Sequence, residues 1–248
     1  MQHKPLILAL LAGLSLSGAA QATLIDRGGG LIYDTGLNVT WLQNANLAAT
    51  DTFGVSGISS GGSMIWHKAN QWIGAMNSAD YLGYSDWRLP TTVPINGSTF
   101  NYNYRSNGTT DVGYNVSAPG TAYAGSKGSE MAYLFFNELG NKAYYDASGN
   151  TQADYGVTNA GPFQNLQYDA YWSGTEYARN RNRGSAWNFN TSYGLQHANR
   201  KYDDDYAWAV RPGDVAAAAG SGTVPEPQTL ALLGLGLMGM VFARRRRG

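Results

Sequence analysis

The chain has 248 residues, room for one main domain around a real core. Charged residues make up only 14%, against roughly 25% in an average soluble protein, which excludes a charged coiled coil. Seventeen basic and seventeen acidic residues cancel, but setting aside Lys4, Glu226 and Arg244 to Arg247 leaves 12 and 16, a net −4 that offers no basic stripe for nucleic acid; the absence of cysteine excludes disulfides, thiolate metal sites and cysteine nucleophiles.

In chain order, residues 1–22 carry Lys4, an apolar run from Leu6 to Leu16, and small residues ending Ala20-Gln21-Ala22. That is the pattern of a secretory signal peptide cut after Ala22. An N-terminal anchor is the alternative, but the run falls short of the roughly 20 residues that span a bilayer. Leu31–Asp34 and Val39–Leu42 flank the turn residues Thr35 to Asn38 and read as a hairpin. Trp66, Ala69, Trp72, Ile73, Met76 and Ala79 recur at three- and four-residue steps, which predicts an amphipathic helix over 66–79. In Asp86-Trp87-Arg88-Leu89-Pro90-Thr91, Pro90 biases the chain to an extended course. Trp87 and Leu89 then face the core, and Arg88 turns its planar donor fork to a carboxylate or to loop carbonyls. A stapling role for Arg88 is favoured over a ligand contact.

Residues 92–128 are rich in Gly, Asn, Ser, Thr and Tyr and poor in aliphatics, a stretch that is either a functional loop or mobile. Ser129 is an N-cap for a helix that buries Met131, Leu134, Phe135 and Leu139 and stops at Gly140. Aromatic-rich strands follow at 170–173, 186–190 and 207–211, with a further one at 194–199. The body, residues 24–214, is therefore α+β, with helices beside a mainly antiparallel sheet.

No catalytic signature accompanies His67 or His197. Asp203-Asp204-Asp205 could serve calcium, an oxygen-seeking ion, but adjacent side chains of an extended chain diverge, and a solvated turn is the plainer reading. No cofactor is expected. Tryptophans 41, 66, 72, 87 and 208 sit on periodic or motif positions and are expected inside. Tyr102, Tyr104, Tyr114 and Tyr123 are expected outside. Tyr102 and Tyr104 could stack on sugar rings, and Tyr177, Arg179, Arg181 and Arg183 line another turn that could face a polyanion.

Residues 215–223 form a small-residue linker. Beyond it Pro225-Glu226-Pro227 precedes fourteen uncharged residues, Leu230 to Ala243, and then Arg244, Arg245, Arg246 and Arg247. As a helix the fourteen rise about 21 Å, short of a bilayer core of about 30 Å, so a transmembrane helix here is marginal and suits a transient hold. The arginines would stay with the cytoplasmic headgroups. The order of these parts over 224–248 resembles the PEP-CTERM sorting signal of Gram-negative bacteria. That resemblance implies recognition of Pro225-Glu226-Pro227 by an exosortase, removal of the tail, and delivery to the cell envelope, surface or extracellular matrix, typically in bacteria making extracellular polysaccharide.

The body's motifs are Asp34-Thr35-Gly36-Leu37 with Trp41, Trp66 with Ala69, Gly83 to Thr91, Tyr171-Trp172-Ser173-Gly174-Thr175, Ala186-Trp187 with Phe189, and Val210-Arg211. In this order they resemble the DUF1566 or Lcl C-terminal domain family. That resemblance implies a fold similar to C-type lectin-like and formylglycine-generating-enzyme-like domains. Relatives place cysteines at positions matching Ile73 and Ala209, where this chain would substitute an apolar contact. The calcium-dependent sugar motif of true C-type lectins is missing. The reading that follows is an exported, non-enzymatic module for a glycan or envelope component, with signal peptidase and exosortase as processing partners. A structural or adhesive matrix protein with protein partners is the first alternative, and an enzyme on the same fold the second.

Overall fold

The computed structural model describes residues 23–179 and 184–215. In chain order the elements are β1 (Leu24–Gly28), β2 (Leu31–Asp34), β3 (Val39–Leu42), α1 (Trp66–Ser78), β4 (Tyr104–Arg105), β5 (Val112–Tyr114), α2 (Glu130–Tyr133), β6 (Ala170–Tyr177), β7 (Ser185–Asn190), β8 (Leu195–Arg200) and β9 (Val210–Pro212). They form an α+β fold with one sheet ordered β1-β2-β3-β9 and a second ordered β4-β5-β8-β7-β6. All pairs are antiparallel except β4 with β5.

The hairpin forms as the turn residues predict. Asp34 Oδ1 accepts from the Leu37 amide at 2.9 Å, and Asn38 takes a left-handed φ of +55°, which asparagine tolerates. α1 buries Trp66, Ala69, Trp72, Ile73 and Met76 on one face, while Ala79 lies past its end and is exposed. Ser129 caps α2 by accepting from the Ala132 amide, and the helix widens into a π turn over Leu134–Glu138 before Gly140 at φ +66° ends it. Met131, Leu134, Phe135 and Leu139 are buried as expected.

The core is an aromatic lattice drawn from both sheets and both helices. All seven tryptophans are buried. Six donate their indole N–H: Trp66 to Ser173 O, Trp72 to Asp51 O, Trp87 to Tyr81 O, Trp172 to Met64 O, Trp208 to Leu42 O and Trp41 to the Asp34 carboxylate. Each fills volume and satisfies its polar edge, and Trp66, Trp72, Trp172 and Trp208 also tie their segments to backbone carbonyls 21 to 166 residues away. Trp187 alone leaves its Nε1 without a partner.

One expectation is corrected here, and one alternative left open is narrowed. Of 207–211, only Val210 and Arg211 join a ladder, β9 on β3, because the Trp208 side chain is drawn to Leu42 O and the Leu42 amide to Ala209 O. The stretch 92–128 is ordered, and it contributes β4, β5 and a run of buried residues from Thr110 to Ala118. Its hold is polar, which is why its lack of aliphatics hid it: the buried Asp111 carboxylate accepts the amides of Ile95 at 2.8 Å and Asn101 at 2.7 Å, and Gln196 donates to Asp111 O. Val215, first residue of the expected linker, is buried against the core.

Candidate functional site

The motif residues meet as structural ties. Arg88 forms a two-pronged bond to Glu130, both contacts 2.7 Å, and Glu130 also accepts the Thr91 amide. Arg88 pairs by backbone with Val210 on both sides. Asp86 holds Arg211 through two contacts of 2.7 and 2.9 Å. Pro90 O receives Ser173 Oγ and the Gly174 amide. The Asp86–Thr91 block thus joins α2, β6 and β9, with Trp87 and Leu89 in the core, so Arg88 is a fold-stapling residue.

An open cleft of about 300 Å³ lies against the 92–128 stretch and is lined by Tyr104, Arg105, Ser106, Tyr114, Tyr145 and Gly149. Its wall is built by close backbone contact. Gly113 has φ +133°, and a Cβ there would fall 1.7 Å from Arg105 O, so only glycine lets β4 lie on β5. Asn115, at φ +58°, donates through Nδ2 to Ser106 O at 2.6 Å and to Tyr145 O at 2.8 Å, pinning opposite sides of the cleft together. The Gly149 edge is set by Asp146, whose carboxylate accepts the amides of Ser148 and Asn150; those bonds hold it below the usual carboxylate range.

Within the cleft Tyr104 and Tyr145 stand edge-on to Tyr114, at 6.1 and 5.1 Å between centroids. Burial, with the neighbouring phenols, pushes Tyr114 well above a free phenol and keeps it neutral. Arg105 donates only a long bond to Tyr104 O and meets no carboxylate among the described residues. The arrangement offers ring faces, hydroxyls and one cation without a carboxylate partner among the described residues, a set that can bind a ligand.

The expected ligand residues separate into two groups. Tyr104 is exposed in the cleft. Tyr102 and Tyr177 meet each other at 5.0 Å, but both are half-buried and, with Phe100, cover Trp187. Arg179 is exposed beyond β6, and Arg181 and Arg183 lie outside the described residues. Tyr114, expected outside, is 7% exposed because β5 pairs centrally between β4 and β8. Tyr123 is partly buried against the core. Arg105, Ser106, Tyr145 and Gly149 were not anticipated; Asp146-Ala-Ser-Gly-Asn150 signals a turn, but nothing local says what the turn faces.

His67 and His197 are exposed. Asp203–Asp205 is not the wholly solvated turn expected: Asp205 is buried, accepts from Asn188 and Asn199, and is pushed up to about 6 by burial. Asp203 instead accepts the Arg200 amide. Among the described residues no group of three or more His, Asp or Glu gathers in a way that could hold a metal ion. Burial and the charge of Asp34 raise Glu138, on the π turn, to about 7.

Residues 30–211 match the Lcl C-terminal domain, which covers both helices, the cleft and every strand except β1. The chain belongs to the Lcl C-terminal domain family. Residues 223–247 match the PEP-CTERM protein-sorting motif. The Lcl match spans the Asp34 turn, the Asp86–Thr91 block and Arg211, so the ties just described lie within the matched domain. The sorting motif implies export, handling by an exosortase and delivery to the bacterial cell envelope. Neither the curated proteins nor the solved structures yield a match. Ala20, Ala22, Pro225, Glu226, Pro227 and Arg244 to Arg247 lie outside the described residues, where the signal peptide and the membrane segment were expected. Among the described residues no helix is long and apolar enough to cross a membrane.

Proposed function

We propose that this Lcl-family protein is a non-enzymatic, surface-delivered module that binds a glycan of the cell's own envelope or matrix in the Tyr104–Tyr145 cleft, on a lectin-like scaffold. The observation that carries the reading is the cleft itself: exposed ring faces and hydroxyls suit a sugar, which presents an apolar face rimmed by polar groups. The sorting motif supplies the setting, since it routes the chain to the envelope. Removal of residues 1–22 by signal peptidase, and of the tail after exosortase recognition of Pro225-Glu226-Pro227, leaves the folded body carrying the site; the tail's contact with the membrane is transient.

The test is retention of the purified body on polysaccharide from the producing cell, followed by a glycan array. Tyr104→Ala is expected to weaken binding about tenfold, or about 1.4 kcal/mol, with the thermal midpoint unchanged. Failure of the wild-type body to bind any polysaccharide, or equal binding by the variant, would overturn the reading.

A further inference from the structure

We propose that the tyrosines running from the cleft to the far edge of the body are a covalent cross-linking site, through which copies of this chain are joined by tyrosine–tyrosine bonds under one-electron oxidation. Successive ring centroids lie 6.1 Å apart for Tyr104–Tyr114, 5.1 Å for Tyr114–Tyr145, 4.6 Å for Tyr145–Tyr144, 4.7 Å for Tyr144–Tyr155 and 6.2 Å for Tyr155–Tyr193. Tyr168 lies beside Tyr155 and Tyr193, since its ring occupies the space a Cβ on Gly156 would take and its carbonyl accepts from Ser192 Oγ. The belt ends in exposed phenols on both sides: Tyr104 is 52% exposed at one end, and Tyr193 and Tyr168 are 44% and 56% exposed at the other. A chain with two reactive ends can be joined into a polymer, whereas one end gives only dimers.

Oxidation has few other targets. The chain has no cysteine. All seven tryptophans are buried, and so are Met64, Met76 and Met131. Among the described residues the readily oxidised side chains that water reaches are therefore tyrosines. Rings in contact let an electron vacancy made at one phenol be shared with its neighbours, which lengthens the time a radical spends at an exposed end. An isolated phenol such as Tyr202 lacks that support, although it is 65% exposed and meets only Arg200.

The step balances with a haem peroxidase and hydrogen peroxide as the oxidant. Each of two phenols loses one electron and its hydroxyl proton. The two phenoxyl radicals join through ring carbons ortho to oxygen, and the two ring hydrogens move to the oxygens as aromaticity returns. Two phenols and one peroxide give one biphenol and two waters. Nothing in this requires a bound glycan, so the inference stands apart from the proposed function.

The test treats the purified full chain with a haem peroxidase and limiting hydrogen peroxide, then reads denaturing gels, dityrosine fluorescence and the mass spectra of joined peptides. The expected result is a ladder of covalent oligomers whose joined peptides contain Tyr104, Tyr168 or Tyr193. The triple variant Tyr104→Phe, Tyr168→Phe, Tyr193→Phe keeps every ring and loses most of the ladder, whereas Tyr202→Phe leaves it intact. Joined peptides dominated by Tyr202, or an undiminished ladder from the triple variant, would overturn the proposal.

Discussion

Arg88 shows how one side chain decides a junction. Its two 2.7 Å contacts to Glu130 satisfy a carboxylate whose side chain is only 10% exposed, and Glu130 in turn holds the Thr91 amide. Arg88→Met leaves that carboxylate uncompensated and is expected to cost about 2–3 kcal/mol in urea unfolding, below the roughly 3–5 of a fully buried pair because a third of the Arg88 side chain meets water. The double variant with Glu130→Met should recover part of the loss. Tryptophans make a second residue-scale comparison. Trp172→Phe forfeits the indole bond to Met64 O, which keeps only the Asp205 amide, and is expected to destabilise more than Trp187→Phe, which forfeits no hydrogen bond, by about 1 kcal/mol in the same measurement.

Asp205 sets a pH dependence of known sign. Burial raises it from 3.8 to about 6, so the folded state holds the proton more tightly than the unfolded chain does. The stability tied to its neutral form is whole below pH 4 and is lost as pH rises through about 6. Two pKa units correspond to about 2–3 kcal/mol. Glu138 adds a slope of the same sign between about 4.5 and 7, smaller in effect because the side chain is partly open to water. Urea midpoints followed from pH 4 to pH 8 should fall with pH, and Asp205→Asn should flatten the lower part of the curve.

Among elements, the β4–β5 pair is the most exacting, because it places one wall of the cleft with only two residues on the edge strand. Gly113→Ala would set a Cβ 1.7 Å from Arg105 O at a φ of +133°. The expected outcome is displacement of β4, a cost of about 2–4 kcal/mol in urea unfolding and loss of polysaccharide retention with Tyr104 still present. The hairpin, α1 and the capped start of α2 were readable in sequence, since each follows from local turn chemistry or a 3.6-residue period that no distant partner overrides. The π turn of Leu134–Glu138 was not, because one extra residue in a helical turn changes no local propensity.

At the scale of the molecule, a body without cysteine is held by indole donors and arginine forks that join segments up to 187 residues apart, the span between Arg27 and Asp214. Its processing is open to a direct check. The intact mass of chain recovered from the cell surface is expected to lack both residues 1–22 and the arginine tail, whereas full mass in the cell interior would contradict sorting by the motif at 223–247.

Composition, the two terminal patterns and the ordered motifs of the body determined, without coordinates, that this is an exported α+β protein of the Lcl family with arginine and tryptophan as its ties. Those features are local in the chain or rest on residue type alone. Only the tertiary structure decided that Tyr114 is covered, that Tyr102 and Tyr177 lie over Trp187, and that Tyr145 and Gly149 face Tyr104 across a cleft. The reason is physical: residues 92–128 are held by backbone amides reaching Asp111 and by Asn115 reaching Tyr145 O, bonds between groups that every residue carries or that any surface loop could display. Their pairing exists only once the chain has closed on itself.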